Sequence, residues 1–356
     1  MTVLHIVPAI PFGGMQRIAA LLAAQQRQSG LDVRVIAIYS GEELRDLLER
    51  KKVPHVFLDG TRPGLRMMRQ LFSMASENWS IIHLHGGLRW SNLVELAARR
   101  SPVVYHAHNY PDSSPSLKSR VLHRLNRALA DVVIAVSQDV ARAWRETVPG
   151  LEVTCVYNAV EFPTGTKPAR AIQSPSSPMF GMATRLVKDK GIFEFVDVAE
   201  AICARRKEAQ FILAGDGPDR DSLIAEVNRR GLGLSFRFPG YIRDLNAFWS
   251  DVDVALFTAQ CEPFGLRILE AIVRGIPVAA YLTGAGSDEL VCPASAPVTA
   301  AWNDAAGLAE KALTLCDNPS FYAEIAESAF RDAQDRFSIP AMAEGVMSVY
   351  QGVARA

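Results

Sequence analysis

Short apolar runs alternate with amphipathic helical patterns along nearly the whole chain. Runs such as Val3–Val7, Val33–Ile38 and Val103–His106 have the length and β-branched content of buried strands, and helical patterns such as Met15–Ser29 lie between them. Strands that alternate with helices in this way are typical of βαβ units, which pair their strands into parallel sheets. The chain is therefore predicted to be an α/β protein built on parallel sheets.

One stretch interrupts this alternation. Residues Pro163 to Pro178 are rich in Pro, Thr, Ser, Gly and Lys and poor in apolar residues, which is the composition of a linker. With 356 residues, the chain is long enough to form two domains with substantial cores. We therefore predict a first domain over residues 1–165, a second over residues 175–335 and a final helix over residues 336–356.

The charge balance excludes some classes of partner. Equal numbers of basic and acidic residues give a formal net charge of zero, which argues against a dedicated nucleic-acid-binding protein. Residues 1–168 nevertheless carry 20 Lys and Arg against 14 Asp and Glu, whereas residues 169–356 carry 18 against 24. A basic first half suits an anionic membrane surface or a phosphorylated lipid better than an acidic partner.

The sequence also predicts a location. The five cysteines are scattered without a C-x-x-C pair, which is typical of reduced thiols in a cytoplasmic protein. The first residues lack the basic and long apolar regions of a signal peptide, and no window approaches about eighteen uninterrupted apolar residues. We expect a cytoplasmic protein, with peripheral attachment to the inner membrane face as a further hypothesis.

Two carboxylates, Glu262 and Glu270, mark the segment with the strongest functional signal. Pro263 is expected to begin a helix between them, because its missing N–H needs no partner at a first helical position. Eight helical residues rise about 12 Å, close to the length of a sugar–diphosphate–ribose unit. Paired Glu residues are often only a solvated helix face. Here a ligand site is favoured, because the apolar strand Val252–Thr258 precedes Glu262 and parallel sheets bind ligands at the carboxyl ends of their strands.

A second segment of the same half carries two cations. Arg185 and Lys190 lie between a predicted strand and a predicted helix, and Gly191 follows them. Fixed cations stabilise the negative charge that develops on a departing diphosphate. Arg and Lys on a turn are ordinarily just solvated, so the segment by itself leaves both interpretations open.

The first half offers a glycine pair and two histidine pairs. Gly13 and Gly14 follow the first predicted strand and precede a helix, which lets backbone N–H groups approach a ligand or simply makes a tight turn. Their spacing is not G-x-G-x-x-G, so a dinucleotide-binding domain is not favoured. His83-x-His85 and His106-x-His108 each end a predicted strand. A zinc site is one interpretation, but no carboxylate or Cys with ligand spacing accompanies the four rings.

Residues 116–129 form a basic stretch without acids. Its apolar residues Leu117, Val121, Leu125 and Leu129 recur at every fourth position, which places them along one side of a helix. The stretch is either a helix packed on its own domain with a basic outer face or an amphipathic surface that lies against anionic lipid.

Taken together, the Glu262–Glu270 and Arg185–Lys190 motifs resemble those of the retaining glycosyltransferases of family 4, whose signature is Glu-x7-Glu. The resemblance covers nearly the whole chain. It implies the GT-B fold, in which two Rossmann-like domains with parallel sheets face each other and the C-terminal helix crosses back to the N-terminal domain.

The resemblance also implies a role for each candidate residue. Glu262 would hold the hydroxyls of the donor sugar and Glu270 those of the ribose, while Arg185 and Lys190 would hold the diphosphate in place of a metal. From the first domain, His108 would reach the sugar, with Gly13 and Gly14 shaping the cleft; His106 is more structural. The other residues expected at the donor are Phe264, Gly265, Leu266, Tyr241, Ile242 and Gly215.

The expected activity follows from these roles. The enzyme would transfer a sugar from a UDP- or GDP-linked donor to a hydroxyl of a glycan or lipid-linked acceptor, with retention at the anomeric carbon and without a metal cofactor. Surface polysaccharide biosynthesis is the expected pathway. The alternatives are a nucleotide-sugar hydrolase or epimerase of the same fold and a non-catalytic protein that binds sugar nucleotides.

Overall fold

A computed structural model describes residues 1–8, 13–38, 41–58, 65–86, 101–114, 116–165, 168–169, 172, 176–291 and 296–354. The chain divides into two compact units. Unit 1 consists of Met1–Ala159 together with Ile339–Ala356, and unit 2 consists of Val160–Ser338. Residues 166–167, 170–171 and 173–175 of the predicted linker lie outside the described residues.

Unit 1 is built on a seven-stranded parallel sheet with the strand order β3-β2-β1-β4-β5-β6-β7. Its strands are β1 (Thr2–Val7), β2 (Asp32–Ala37), β3 (His55–Phe57), β4 (Ile81–His85), β5 (Val103–Ala107), β6 (Val132–Ala135) and β7 (Val153–Cys155). Between them lie the helices α1 (Gly14–Gln28), α2 (Glu42–Arg50), α3 (Leu65–Ala75), α4 (Leu117–Leu129) and α5 (Gln138–Thr147).

The central strands of unit 1 are buried on both faces, as expected for a parallel sheet covered by helices. Every residue of β4 and of β5 is buried. The pairing of β1 with β4 sets His5 beside His83, and the pairing of β4 with β5 sets His85 beside His106. The strand register therefore brings histidines from three neighbouring strands together inside this unit.

Unit 2 is built on a six-stranded parallel sheet with the order β10-β9-β8-β11-β12-β13. Its strands are β8 (Met179–Ala183), β9 (Gln210–Ala214), β10 (Phe236–Arg237), β11 (Val254–Phe257), β12 (Val278–Leu282) and β13 (Thr299–Ala301). Its α-helices are α6 (Ile192–Arg205), α7 (Arg220–Arg229), α8 (Leu245–Asp251), α9 (Leu266–Ile272), α10 (Asp288–Val291), α11 (Ala305–Asp317) and α12 (Pro319–Arg336). Short 3₁₀ turns occur at Lys188–Lys190, Gly233–Ser235 and Ala296–Val298.

Aromatic packing holds the core of unit 2. The ring centroids of Phe180 and Phe211 are 5.5 Å apart, and those of Phe211 and Phe236 are 5.1 Å apart. These rings belong to three adjacent strands, so they join β8, β9 and β10 on one face of the sheet. The prediction of an α/β protein with parallel sheets is confirmed by both units.

The last helix, α13 (Ile339–Val353), belongs to unit 1 although the whole of unit 2 precedes it. It packs on α1 and buries Met342, Val346 and Tyr350. Gln26 Nε2 of α1 donates a hydrogen bond to the hydroxyl of Tyr350 at 3.2 Å. The predicted return of the C-terminal helix to the first part of the chain is thereby confirmed.

The predicted start of the helix after Glu262 is wrong. Helix α9 begins at Leu266, and Gly265, with a left-handed backbone (φ +95°), is the residue before it. Pro263 therefore lies in the preceding loop, and Glu262 is not a helical residue. The 12 Å helical rise between the two acids does not apply, because only part of the segment is helical.

Two further expectations concern the cysteines and the absence of a membrane-spanning segment. Cys155, Cys203, Cys261 and Cys316 are free thiols, and Cys292 lies outside the described residues. Among the helices that the structure describes, none combines the length and apolar character needed to cross a membrane.

Candidate functional site

Three loops of unit 2 meet at one edge of its sheet. Strands β9, β8 and β11 are parallel neighbours, so their carboxyl ends lie at the same edge, where open parallel sheets bind ligands. We call residues 184–191 the β8 loop, residues 215–219 the β9 turn and residues 258–265 the β11 loop. Arg185 and Lys190 lie in the first of these segments and Glu262 in the third.

The β8 loop is joined to the β9 turn through backbone groups. Leu186 N–H donates to the carbonyl of Asp216 at 3.0 Å, and Asp219 N–H donates to the carbonyl of Leu186 at 3.2 Å. A Cβ at Gly215 would lie 1.7 Å from the carbonyl oxygen of Thr184, and the φ of Gly215 is +138°. The predicted site residue Gly215 is therefore needed for the close approach of the two segments.

Gly191 joins the β8 loop to the β11 loop. Its φ is +71°, and a Cβ there would lie 1.9 Å from the carbonyl oxygen of Thr258. The buried Thr258 hydroxyl donates to the carbonyl of Gly191 at 2.7 Å. Only glycine fits this position, because a side chain would overlap the backbone of the neighbouring loop.

An ion pair closes the same junction. Lys190 Nζ lies 2.7 Å from Glu262 Oε2, and both side chains are half-buried. A pair with this exposure adds at most about 1 kcal/mol to stability. Its importance is positional, since it shows that two motifs 72 residues apart in the sequence are adjacent in the fold.

Arg185 differs from Lys190 in its surroundings. Its side chain is exposed, and within the part of the chain that the structure describes it has no hydrogen-bond or ion-pair partner. A guanidinium carries five N–H donors that suit the oxygens of a phosphate group. Of the two predicted diphosphate-binding cations, Lys190 is thus paired with an acid and Arg185 is directed to solvent.

Glu270 lies deeper than Glu262. It is a buried residue of α9, with 4% of its surface exposed, and its Oε2 accepts a hydrogen bond from Arg267 Nη1 at 2.6 Å. Arg274 Nη1 donates to its carbonyl oxygen, also at 2.6 Å. The alternative of a solvated helix face therefore does not hold for Glu270, whose burial is compensated by charge-assisted bonds.

The remaining donor-site predictions in unit 2 fall in two places. Phe264 is 3% exposed and packs its ring against Phe337, with centroids 5.8 Å apart, whereas Leu266 is half-buried at the start of α9. Tyr241 is 58% exposed and Ile242 half-buried. Their segment reaches the β9 turn, since Gly215 N–H donates to the carbonyl of Gly240 at 2.8 Å.

The glycine pair of unit 1 has ordinary backbone geometry. Gly13 is extended (φ −166°) and precedes α1, and Gly14 is the first residue of that helix. A Cβ at Gly13 would have its nearest neighbour, Gln16 Oε1, at 3.7 Å, which is a normal contact. Neither its backbone conformation nor a close neighbour among the described residues requires glycine at this position.

The histidine pairs of unit 1 join into one cluster that includes His5, which the sequence analysis missed. The rings of His83 and His85 stack in parallel with centroids 4.4 Å apart, and those of His106 and His108 are 4.3 Å apart. The sequence shows that His5 lies in the first predicted strand. It does not show the strand order, which determines that His5 is adjacent to His83.

Burial keeps these rings neutral. Removal from water lowers the pKa of His5 to about 4 and lowers the pKa of the other four rings, with the neighbouring histidines adding to the effect for His83, His85 and His106. Neutral imidazole can bind a metal ion, and three nitrogens of His5, His83 and His85, or of His85, His106 and His108, lie within 4.8 Å of one another.

Hydrogen bonding explains this cluster better than metal binding. The contact of His5 Nδ1 with His85 Nε2 is 2.9 Å, shorter than the ~3.3 Å between two nitrogens that bind tetrahedral zinc at about 2.0–2.1 Å. Both groups consist of neutral rings only, so they hold no negative charge to balance a buried divalent cation.

Comparison with known proteins gives matches over nearly the whole chain. Residues 12–162 match the family model described as Glycosyltransferase Family 4, and residues 167–332 match the model described as Glycosyl transferases group 1. Both motifs in unit 2 lie within the second match.

Several similar curated proteins are glycosyltransferases or sugar-related synthases by name. N-acetyl-alpha-D-glucosaminyl L-malate synthase of Bacillus anthracis is 24% identical over 78% of this chain and 76% of its own length. Glycogen synthase of Mycobacterium tuberculosis is 26% identical over 58% of this chain and 50% of its own length. The first matched relatives are aligned over about a third to a half of their length.

Solved structures share the fold along the full chain. Anabaena HepE in complex with UDP and glucose has a TM-score of 0.81 at 22% identity, covering 98% of this chain and 99% of that chain. Sucrose-phosphate synthase from Thermosynechococcus elongatus has a TM-score of 0.74 at 18% identity, covering 99% of each chain. The predicted GT-B fold is confirmed by these matches.

Replacing Gly191 should loosen the junction between the β8 and β11 loops. We expect Gly191→Ala to lower the free energy of unfolding of unit 2 by about 3 kcal/mol or more, because left-handed strain adds to backbone overlap. Gly231→Ala is the matched control: it has a similar φ of +73° but open space around its Cβ, so it should cost only about 1–2 kcal/mol. Urea unfolding measures both; equal losses would contradict the packing argument.

The histidine cluster should make unit 1 sensitive to acid. The folded rings stay neutral below the ordinary pKa of 6.5, whereas the unfolded chain takes up protons there, so stability falls as pH falls. Each ring that stays neutral contributes a slope of about 1.4 kcal/mol per pH unit. Amide hydrogen exchange of β1, β4 and β5, corrected for intrinsic exchange rates, measures the stability of unit 1 at each pH. Equal protection at about pH 7.5 and about pH 5 would contradict it.

Proposed function

Because the chain belongs to glycosyltransferase family 4 and has the GT-B fold, we propose that it transfers a sugar from a nucleoside-diphosphate sugar to a hydroxyl group and retains the anomeric configuration. The observation that carries the proposal is the Lys190–Glu262 ion pair at 2.7 Å, which puts the cationic and acidic motifs of unit 2 side by side. A diphosphate needs cations and a sugar needs hydrogen-bond acceptors, and this junction offers both.

The diphosphate would bind to the β8 loop. Arg185 is exposed and without a partner among the described residues, so its guanidinium is available to phosphate oxygens. Lys190 supplies a second positive charge in a loop that backbone contacts hold in place. Cations that are positioned in advance stabilise the charge of the leaving group without reorganisation, so we propose that no divalent metal is needed.

The two acids would bind the two sugars of the donor. Glu262 is half-buried and its Oε2 lies 2.7 Å from Lys190 Nζ, so its carboxylate is oriented toward the cationic end of the site. We propose that it accepts hydrogen bonds from the transferred sugar. Glu270, held by Arg267, is proposed to accept hydrogen bonds from the ribose hydroxyls.

The reaction would proceed on one face of the sugar. The bond from the anomeric carbon to the β-phosphate oxygen breaks, and its electron pair stays on that oxygen. The acceptor hydroxyl oxygen bonds to the anomeric carbon from the same face and gives its proton to the departing phosphate. This route uses no side-chain nucleophile, and the anomeric configuration is kept.

UDP is the proposed carrier of the sugar. Anabaena HepE, which shares the fold, was crystallised with UDP and glucose. A mannosyltransferase of Mycobacterium tuberculosis that is GDP-mannose-dependent by name is 31% identical over 32% of this chain, so GDP is the second donor to test. The exposed Tyr241, beside the β9 turn, is proposed to lie near the base.

The acceptor is proposed to be a glycan or a lipid-linked molecule of surface polysaccharide assembly, reached by peripheral contact with the membrane. Helix α4 exposes 76% of Leu117 and 47% of Val121, and Arg124 and Arg127 are exposed on the same helix. Apolar side chains next to cations suit the surface of an anionic membrane. Of the predicted apolar line, Leu129 is instead buried, so it does not belong to this exposed surface.

Variants of the two motifs should separate binding from turnover. Arg185→Ala is expected to weaken UDP binding about 10- to 100-fold, which corresponds to losing a charge-assisted hydrogen bond. Glu262→Gln should leave UDP affinity nearly unchanged and reduce turnover about 100-fold, because its partner is the sugar. Calorimetry with UDP measures the binding effect, and UDP release from UDP-glucose in the presence of a lipid-linked glycan acceptor, above the release without acceptor, measures turnover.

Lys188→Ala is the matched control, since it removes the same charge from the same loop at an exposed position outside the junction. If Lys188→Ala lowers UDP affinity as much as Arg185→Ala does, the effect reflects the overall charge of the loop and not a specific diphosphate site. Near-wild-type kinetics of both motif variants would refute the proposal. Free sugar or an epimer formed without acceptor would instead identify a hydrolase or an epimerase.

Membrane contact through α4 can be tested by flotation with vesicles. The protein should float with vesicles that contain anionic lipid and less with neutral ones, and Leu117→Gln combined with Arg124→Gln should abolish flotation. Arg205→Gln combined with Arg331→Gln, two exposed cations of unit 2, is the charge control. Unchanged flotation of the α4 variant would remove the hypothesis.

A further inference from the structure

The histidine cluster of unit 1 consists of two hydrogen-bonded chains that both start at Gln26. This residue of α1 is buried, and its amide offers one acceptor and one donor group. The oxygen faces His5 and the nitrogen faces Tyr350. Neither chain includes a charged side chain.

The first chain leads to His108. Gln26 Oε1 lies 2.8 Å from His5 Nε2, His5 Nδ1 lies 2.9 Å from His85 Nε2, and His85 Nδ1 lies 3.2 Å from His108 Nε2. Three rings thus connect the amide of α1 with the histidine that follows β5.

The second chain leads to His106. Gln26 Nε2 donates to the Tyr350 hydroxyl at 3.2 Å, and that hydroxyl lies 2.5 Å from His83 Nδ1. His83 Nε2 lies 3.2 Å from His106 Nδ1. Within the described part of the chain, His106 Nε2 is buried and has no hydrogen-bond partner, so this chain ends there.

Each neutral ring has one N–H and one acceptor nitrogen, so the position of one proton determines the next. Gln26 Oε1 can only accept, so His5 carries its proton on Nε2, and His85 and His108 must do the same. The Tyr350 hydroxyl accepts from Gln26 and has a single proton to give to His83 Nδ1. His83 and His106 are therefore also protonated on Nε2.

We infer that Gln26 and Tyr350 are positioning residues that hold all five histidines in the Nε2–H form and thereby present the Nδ1 of His108 as a hydrogen-bond acceptor. A rotation of the Gln26 amide by half a turn would move every proton to Nδ1 and make His108 a donor there. One amide thus sets the polarity of both chains.

The inference deepens the proposed function and rests on it in one respect, namely that His108 meets a substrate hydroxyl. With a lone pair on Nδ1, the ring would accept the hydrogen of that hydroxyl without adding charge. Burial contributes by holding the rings neutral, since a protonated ring would donate from both nitrogens and break the sequence of bonds.

Nitrogen NMR of the isotopically labelled protein at neutral pH tests the proton positions directly. We expect the cluster rings to show a protonated Nε2 and an unprotonated Nδ1, with each ring assigned in the wild-type protein by through-bond correlation with its own backbone. A His108 ring with its proton on Nδ1, or with protons on both nitrogens, overturns the inference. The wild-type spectrum decides this point whether or not any variant folds.

Gln26→Met tests the positioning role, because methionine keeps the length of the side chain and removes both polar groups. His108 should then populate both tautomers, and kcat/KM should fall in proportion to the remaining Nε2–H fraction, about two-fold for equal populations. Gln28→Met, an exposed position of the same helix, should change neither quantity. Tyr350→Phe should allow His83 and His106 to populate both tautomers.

The two proposals fail in different ways. Nε2–H rings in a protein that turns over no nucleotide sugar would refute the proposed function and leave the proton order standing. Normal turnover with His108 protonated on Nδ1 would refute the inference and leave the function standing. If His108 populates both tautomers in Gln26→Met while kcat/KM is unchanged, Gln26 has no positioning role.

Discussion

The contact of Gly191 with the backbone of Thr258 is the constraint on which the site of unit 2 depends. Because no side chain separates the two loops, the Thr258 hydroxyl can bond the Gly191 carbonyl, and Lys190 comes within 2.7 Å of Glu262. Gly215 plays the equivalent part on the other side of the β8 loop. Arg185 and Lys190 therefore belong to a loop whose main chain is fixed by packing, so the proposed binding of a diphosphate would require little ordering of the backbone.

Unit 1 contains polar imidazole rings inside its parallel sheet, and these rings need hydrogen-bond partners there. The register of β1, β4 and β5 places their histidines side by side, and hydrogen bonds between rings replace those lost to water. Neutral imidazoles suit this purpose, because each one both donates and accepts, whereas a buried charge would need a counter-charge. The amide of Gln26 and the hydroxyl of Tyr350 complete the pattern from two helices.

Local sequence patterns predicted the parallel sheets, because hydrophobic periodicity is a local property. The returning C-terminal helix and a common site for Lys190 and Glu262 were implied by the family resemblance, and the structure places these two side chains 2.7 Å apart. The start of α9 was misjudged, since Pro263 was given priority over Gly265, whose left-handed backbone precedes the helix. His5, Gln26 and Tyr350 were missed because their partners depend on strand order and on a helix far along the chain. The roles of all the candidate site residues in both units stay predictions.

The discontinuity of unit 1 has a consequence for how the chain is made. The hydroxyl of Tyr350 follows its partner His83 by 267 residues, and all of unit 2 is synthesised in the interval. At about 5–20 residues per second, the ribosome takes roughly 13–53 s to supply that hydroxyl. Until then the nascent β4 lacks the proton donor for His83. Unit 2, which is one continuous segment, can therefore complete its folding before unit 1, which still lacks helix α13.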